Sequence, residues 1–136
     1  GEEQGVDSPL PASRASRLAA AGALARQYRT AVLLSGPEDL VSDGERAWRV
    51  AGGSGEMSRV TGTGCMLSVL CGVFAAVEPD AAAAAVLASA LWKVCARRAE
   101  AMAGGRGSGS FRTALIDSAS ILTAPDAARE AEITAL

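Results

Sequence analysis

Residues 60–74, which read VTGTGCMLSVLCGVF, decide how this 136-residue sequence is interpreted. Two glycines alternate with two threonines directly before Cys65, and the residues that follow are almost wholly apolar. Glycine lets the backbone of such a turn adopt conformations that other residues avoid. The apolar run predicts a helix from about Thr63 to Val77, and a helix that is apolar nearly all round is expected to be buried on several sides. The sequence thus places one thiol in the first turn of a buried helix.

Several known motifs do not fit this stretch. A dinucleotide-binding fingerprint needs a third glycine where Leu67 stands, and a Walker A loop needs Lys followed by Ser or Thr where Cys65 and Met66 stand. A nucleophile elbow with cysteine in place of serine would still need a histidine base. The sequence contains no histidine. Cys–His catalysis within this chain is therefore excluded.

Anion binding is the chemistry that this turn can perform. The first turn of a helix has unpaired N–H groups and a partial positive charge, and glycines leave room for a ligand to approach the backbone. A thiolate at Cys65 would be favoured by the same field. A tight loop followed by a buried structural cysteine explains the motif equally well, because free cysteines are among the most buried residues. Cys71 and Cys95, which lie among aliphatic residues, are expected in the core.

The residues before this motif predict one helix and three strands. Ser13 precedes an Ala- and Leu-rich helix that includes Leu18, Leu24 and Tyr28. The stretch TAVLLSG (residues 30–36) has the composition of a buried parallel strand. The stretch DLVSDGERAWRV (residues 39–50) predicts a hairpin with Asp43-Gly44 as its central pair, because both residues of that dipeptide tolerate positive φ.

The residues after the motif predict helices. AGGSGEMSR (residues 51–59) is expected to be a flexible connection, Asp80 to cap a helix that ends at Gly104-Gly105, and Ser110 to cap a last helix. The tail from Ala124 has weak helical character. The sequence predicts about four helices but few strands. A sheet usually has ~4–6 strands, so the predicted strands are too few for a balanced sheet. We therefore expect the remaining strands in another polypeptide or in an upstream segment.

Composition excludes several classes of function. The formal charge of −2 gives no reason to expect a nucleic-acid partner. Three cysteines without histidine are too few for a structural zinc site and odd in number for a disulfide framework, which favours a reducing cytoplasm. Residue 1 is not followed by an apolar signal segment. The apolar run 81–92 ends at Lys93 and is shorter than the ~20 residues that span a membrane, so no membrane segment is expected.

Four blocks of this sequence together resemble one family. VTGTGCMLS (residues 60–68), LLSGPEDLVSDGE (residues 33–45), GSGSFRTALIDS (residues 107–118) and GVDS (residues 5–8) match in order and spacing the hydroxyethylthiazole kinases of the ribokinase-like superfamily. The resemblance extends from Gly5 to about Thr123. It implies phosphorylation of the alcohol of 4-methyl-5-(2-hydroxyethyl)thiazole with ATP and Mg²⁺ in thiamine salvage. It also implies an α/β fold, a three-layer α/β/α sandwich around a mainly parallel sheet, and a homotrimer.

The resemblance also assigns roles to individual residues. Gly62, Thr63 and Gly64 are implied to form the anion hole, with Gly62 contacting the thiazole and Cys65 as the catalytic residue. Ser35 stands where the family commonly has a nucleotide-contacting threonine. Asp39 could orient nucleotide or magnesium, or simply stabilise its turn. Residues 107–111 could line the adenine pocket, or form only a loop and a helix cap. The metal ligands are not assigned.

The family is about twice as long as this chain, and residues 1–136 resemble the C-terminal half of its single domain. An N-terminal half would bring a wall of the thiazole pocket, an arginine for the ATP phosphates and an acidic metal-orienting motif. Without that half, little or no turnover is expected. Two other functions stay open. One is a different ribokinase-like kinase, although such relatives generally have aspartate where Cys65 stands, and the other is a truncated, non-catalytic assembly module.

Overall fold

The computed structural model describes residues 13–136. The GVDS block at residues 5–8 and the predicted opening loop up to residue 12 lie outside the described residues. The elements, in chain order, are helix α1 (Arg14–Tyr28), strands β1 (Val32–Leu34), β2 (Asp39–Ser42) and β3 (Ala47–Ala51), a 3₁₀ turn (Gly55–Arg59), helices α2 (Thr63–Ala75), α3 (Ala81–Ala103), α4 (Ser108–Ile121) and α5 (Ala124–Glu130), and strand β4 (Glu132–Ala135).

The four strands form one sheet in the order β1-β2-β3-β4, and every neighbouring pair is antiparallel. The expectation of a mainly parallel sheet is therefore wrong for the described residues, and so is the expectation that residues 30–36 form a buried parallel strand. Short links join β1 to β2 and β2 to β3, whereas a parallel pair needs a crossover of a dozen or more residues. β1 is also only half-buried.

The hairpin predicted around Asp43-Gly44 is confirmed, with β2 paired to β3 from Ser42–Ala47 to Asp39–Val50. Its central pair differs from the prediction. The N–H of Asp43 donates to the carbonyl of Arg46, which places Gly44 and Glu45 at the tip of the turn. Gly44 has a φ of 95°, and no non-glycine residue of the turn has positive φ. A glycine at the first central position with positive φ is typical of a type II′ turn.

Capping residues set the helix boundaries largely as predicted. The Ser13 side chain accepts a hydrogen bond from the N–H of Ser16 at the start of α1, and Asp80 accepts from the N–H groups of Ala82 and Ala83 at the start of α3. α3 ends at Gly104, whose φ of 55° allows the left-handed C-cap. The prediction that Ser110 caps the last helix is wrong. α4 begins at Ser108, and Ser110 lies within its first turn.

Helix α3 lies at the centre of the fold. On one side, its residues Ala82, Ala85, Val86 and Ala90 form a cluster with Val41 and Val50 of the sheet. On the other side it packs against α2 and α4 in a second cluster that includes Trp92 and Phe111. Helix α1 contacts β1 and β2, and all four residues of β2 are buried. Part of the sheet thus has helices on both faces, which confirms the α/β class.

Helix α2 differs from its prediction in burial. Of its residues only Leu67 is buried, so the expectation of burial on several sides is wrong within the described part of the chain. Val69 is 67% exposed, Val73 is 58% exposed, and Val77 just beyond the helix is 79% exposed. These three residues are four positions apart and therefore share one face. We call this face, with Gly72 and Ala76 beside the valines, the α2 valine face.

Candidate functional site

The N-terminus of α2 leaves its first backbone N–H groups without a side-chain cap. Gly62 is the N-cap residue with a φ of 97°, and no side-chain hydrogen bond caps this end. The first helical hydrogen bond runs from the N–H of Met66 to the carbonyl of Gly62 at 2.9 Å. The N–H groups of Thr63, Gly64 and Cys65 therefore lie in the part of a helix that has no intrahelical acceptors. Their dipoles favour an anion at this position.

Two hydrogen bonds fix the orientation of this turn. The hydroxyl of Thr63 donates to the carbonyl of Met57 at 3.2 Å. The indole N–H of Trp92, on α3, donates to the carbonyl of Thr63, also at 3.2 Å. Trp92 is 4% exposed and belongs to the core cluster, so the core itself determines where the first turn of α2 points.

Neither backbone conformation nor packing within the described residues requires glycine at position 64. Its φ is not in the left-handed region, and a Cβ built on it would meet no atom within 4 Å. Glycine in a helix is destabilising by about 0.5–1 kcal/mol relative to alanine. Gly62 differs because its positive φ disfavours side chains, although a Cβ there would also meet no atom within 4 Å. The open space at Gly64 is suited to a ligand that approaches the backbone closely.

A cleft of about 470 Å³ lies beside this turn, between α2, α3 and the ends of β1 and β3. Ser35 and Gly36 line it on the β1 side, Thr63 and Gly64 on the α2 side, and Trp92 and Lys93 on the α3 side. The structure thus brings Ser35 together with Thr63 and Gly64, which are far apart in sequence. Gly62 and Cys65 are not part of the cleft lining; Gly62 is half-buried and Cys65 is exposed beside the cleft.

The loop that carries Ser35 is held by side chains beneath it. Arg17 donates to the carbonyl of Ser35 at 3.3 Å. The carboxylate of Asp39 accepts from the N–H of Gly36 at 2.9 Å. Asp39 is 4% exposed, and this bond within its own turn matches the turn-stabilising alternative for that residue. Ser35 itself is exposed at the mouth of the cleft.

The three cysteines lie in different environments. Cys65 is exposed, Cys71 is half-buried, and Cys95 is fully buried. Burial raises the pKa of the Cys95 thiol to about 11, and burial, with the charge of Asp39 as a smaller cause, raises the pKa of the Cys71 thiol. The core prediction is confirmed for Cys95 and only in part for Cys71. Cys65 is the most accessible of the three to a reactant.

Residues 107–111 lie at the start of α4 and away from this cleft. Gly109 and Ser110 line a separate cavity of about 360 Å³ together with Arg106 and Asp117. Within the described residues, this segment and Ser35 therefore do not share one pocket.

Two sequence expectations concerned a metal and a membrane. Residues 13–136 hold no group of three or more His, Cys, Asp or Glu side chains arranged to bind a metal ion. In the same part of the chain, no helix combines the length and apolar character needed to cross a bilayer.

Sequence reasoning missed Trp92 and Lys93. In the sequence, Lys93 has the position of a charge that ends an apolar run, yet in the structure it is only 6% exposed. The spacing held a signal, because Ser89, Lys93 and Ala96 are four and three residues apart and lie on one helical face. Ser89 and Ala96 are both fully buried.

An α/β domain in which an uncapped, glycine-containing helix N-terminus borders a cleft belongs to a class of proteins suited to binding phosphate groups. Comparison with known proteins gives the family. The model of the hydroxyethylthiazole kinase family matches residues 1–125, and the chain belongs to this family.

Relatives and a solved structure agree with this membership. The chain is 41% identical over 116 residues to a hydroxyethylthiazole kinase of Listeria monocytogenes, covering 85% of this chain and 42% of the relative. It is 40% identical over 136 residues to a hydroxyethylthiazole kinase of Roseiflexus castenholzii, covering 100% of this chain and 49% of the relative. The structure of a hydroxyethylthiazole kinase protein from Pyrococcus horikoshii superposes with a TM-score of 0.79 at 31% identity, covering 90% of this chain and 47% of that one. The chain thus spans less than half the length of the relatives it matches.

Proposed function

We propose that this chain is the C-terminal half of a kinase that transfers phosphate from ATP to the hydroxyl of 4-methyl-5-(2-hydroxyethyl)thiazole, in thiamine synthesis or salvage. Membership of the family supports the reaction class, and the names of the relatives support the substrate. The observation that carries the proposal is the shared cleft, which is lined both by Ser35 and by Thr63 and Gly64 of the first turn of α2.

The residues of this chain would divide the reaction as follows. The hydroxyl of Ser35 contacts the nucleotide in the cleft, and Gly62, which precedes Thr63 and lies outside the cleft lining, contacts the thiazole. The N–H groups of the first turn of α2, at Thr63 and Gly64, bind the transferring phosphoryl group as its charge develops. The substrate oxygen attacks the γ-phosphorus, the bond between that phosphorus and the β–γ bridging oxygen breaks, and ADP leaves. The Cys65 thiolate accepts the alcohol proton. Such transfers depend chiefly on positioning and charge stabilisation.

Mg²⁺ is part of the proposal, but the described residues do not form a site for it. We assign its ligands to the nucleotide phosphates and to the N-terminal half of the domain. The roles proposed for α2 in proton transfer and phosphate binding do not depend on a metal ligand from residues 13–136.

The N-terminal half is the partner that the exposed α2 valine face requires. Helix α2 is apolar nearly all round, yet Val73 is 58% exposed. Large exposed apolar faces mark interaction surfaces. Cys65 lies on the same side of α2, because it is four and eight positions before Val69 and Val73. A half-domain that covers the valines would therefore also enclose the catalytic thiol.

We further propose that the complete enzyme is a cytoplasmic homotrimer.

The test is a transfer assay on this chain co-expressed with the N-terminal half of the Roseiflexus castenholzii relative. Phosphorylation of the thiazole alcohol, and not of sugars, nucleosides or pyridoxal, is the expected result, and the chain alone should turn over little or nothing. Transfer to one of the other acceptors would identify a different ribokinase-like kinase. Binding of the two halves without any transfer would favour a non-catalytic assembly module.

A further inference from the structure

Lys93 is a buried cation at the base of the cleft. It is the one lysine among the 13 Lys and Arg residues of the chain, and it is 6% exposed. Lysine is almost never fully buried unless it is paired. Because this ammonium group is buried, it does not serve the usual role of a surface lysine in hydration, and its position needs another explanation.

The ammonium group has three oxygen atoms as partners. Nζ of Lys93 donates to the carbonyl of Gly36 at 3.1 Å and to the carbonyl of Pro37 at 3.1 Å. It also pairs with Oδ1 of Asp39 at 3.4 Å. Two hydrogen bonds and an ion pair thus join the ammonium of Lys93 to the loop that follows Ser35. These contacts point to a role of Lys93 in shaping the loop.

Asp39 closes the network from the other side. Its Oδ1 accepts from the N–H of Gly36 at 2.9 Å, and its Oδ2 accepts from the hydroxyl of Ser89 at 2.7 Å. Gly36 is therefore bound through both its N–H and its carbonyl. We call Lys93, Asp39 and Ser89 the Lys93 network. No buried side-chain N or O atom in residues 13–136 lacks a hydrogen-bond partner, so each buried polar side-chain atom of this network has at least one.

Stability alone does not account for such a network. A buried ion pair loses so much solvation that well-packed apolar residues in its place are often equally or more stable. A lysine ammonium is a compact charge whose three donors can meet three separate acceptors, whereas the planar fork of arginine suits bidentate partners. The feature that the network does fix is the path of residues 35–37 at the mouth of the cleft.

We infer that Lys93 and Asp39 are positioning residues that hold Ser35 in the orientation needed to contact the nucleotide across the cleft from Gly64. This inference rests on the proposed function, since it assigns the loop to nucleotide binding. Neither side chain touches the reacting atoms; both act through the backbone of Gly36 and Pro37.

The first test compares Lys93→Met with Ser118→Ala in the chain assembled with an N-terminal half. Ser118 is fully buried on α4 and donates to the sulfur of Met102, so its loss removes a buried polar contact away from the cleft. Lys93→Met should raise both the KM for ATP and the Kd for a non-hydrolysable ATP analogue about tenfold, the equivalent of one displaced hydrogen bond. Its kcat should change less than about twofold, as for loss of uniform binding. Ser118→Ala should change neither constant.

The second test needs no activity. The ammonium of the single lysine should give one ¹⁵N-detected side-chain signal in the 136-residue chain. Asp39→Asn should change the chemical shift of this signal, and Ser118→Ala should leave it unchanged. Any of three results would overturn the inference. The Kd of the analogue could be the same in Lys93→Met and wild type, the assembly could bind no nucleotide, or the ammonium protons of Lys93 could exchange freely with water. If the assembly binds nucleotide in the Lys93-dependent way but phosphorylates no thiazole, the proposed function fails while the positioning role stands.

Discussion

The indole N–H of Trp92 donates a 3.2 Å hydrogen bond to the carbonyl of Thr63, and so connects the most buried helix of the fold to the first turn of α2. Trp92 lies on α3 directly before Lys93, whose ammonium holds the loop after Ser35. Two consecutive residues of α3 thus contact two different segments that line the cleft. The core helix sets the distance between the proposed nucleotide and phosphate contacts.

Trp92→Phe should weaken catalysis more than folding. Phenylalanine keeps an apolar ring but removes the N–H, which leaves the Thr63 carbonyl without that donor and costs about 1–2 kcal/mol of unfolding free energy. The transfer rate of the assembled enzyme should fall about tenfold or more, because small misplacements of a phosphate-binding group are costly. Denaturant unfolding and a transfer assay measure the two effects. Val86→Ala, a core change on the sheet side of α3, should lower stability without lowering the rate; equal losses of rate in both variants would contradict this account.

Replacing Cys65 should test its proposed role as acceptor of the alcohol proton. Cys65→Asp should remain active, since a carboxylate can accept the alcohol proton, while Cys65→Ala should lose about 10²-fold or more in rate, the usual contribution of a general base. Cys65 is exposed, so both variants should unfold at nearly the wild-type denaturant concentration. A transfer assay with the assembled halves makes the comparison, and equal rates for Cys65→Ala and wild type would remove Cys65 from the mechanism.

The helices and the hairpin were predictable because their signals are local. Asp80, Ser13 and Gly104 act through bonds to residues within four positions, and the sequence displays such spacings directly. The start of α4 was misplaced because Gly107, which has a φ of 119°, takes the N-cap position that Ser110 was expected to fill. Local signals thus locate an element but can miss its first residue.

The antiparallel sheet and β4 were not predictable from local pattern. β4 pairs Arg49 with Thr134 and Val50 with Ile133, and all four of its residues are exposed. Its backbone bonds to β3 therefore depend on a partner remote in sequence, and its side chains carry no burial pattern. The Lys93 network was missed for a related reason, since its members Asp39 and Lys93 are far apart in sequence and meet only in the fold.

The α2 valine face provides a test of the N-terminal partner. Val73→Arg should leave the unfolding of the 136-residue chain within about 0.5 kcal/mol of wild type, as for most surface substitutions. It should prevent co-purification with the N-terminal half, because a buried unpaired charge is costly at an interface. Ile133→Arg, at an exposed position on β4, is the control and should still assemble. If Val73→Arg assembles as well as wild type, the partner does not cover this face.

Asp43 should make the hairpin sensitive to acid. Its carboxylate accepts from the N–H of Arg46 and of Glu45 and from the Arg46 side chain. These contacts, the backbone bond from Arg46 first, lower the pKa of Asp43 from 3.8 to about 2. Because the folded state lowers this pKa, the stabilisation is fully present above about pH 4 and is lost as the pH falls towards 2.

The variant Asp43→Asn should therefore lose less stability than wild type as the pH falls through this window. Part of the decline should remain in both proteins, because the fold also lowers the pKa of other carboxylates such as Glu38 and Asp80. Asp117→Asn, at an exposed position on α4, serves as the control and should retain the wild-type decline. Parallel pH profiles for wild type and Asp43→Asn would show that the turn carboxylate does not contribute to stability in acid.

The most direct measurement of the central claim is the phosphoryl-transfer rate of Gly64→Ala beside its stability. The described fold has open space at this residue and no positive φ, so alanine should be tolerated and should stabilise the chain by about 0.4–1 kcal/mol. If the N–H groups of this turn bind the transferring phosphoryl group, the added methyl group will obstruct it, and the rate of the assembled enzyme should fall by about 10²-fold or more, as when an oxyanion-hole donor is lost. A Gly64→Ala enzyme that is as stable as wild type and transfers phosphate at the same rate would contradict the account.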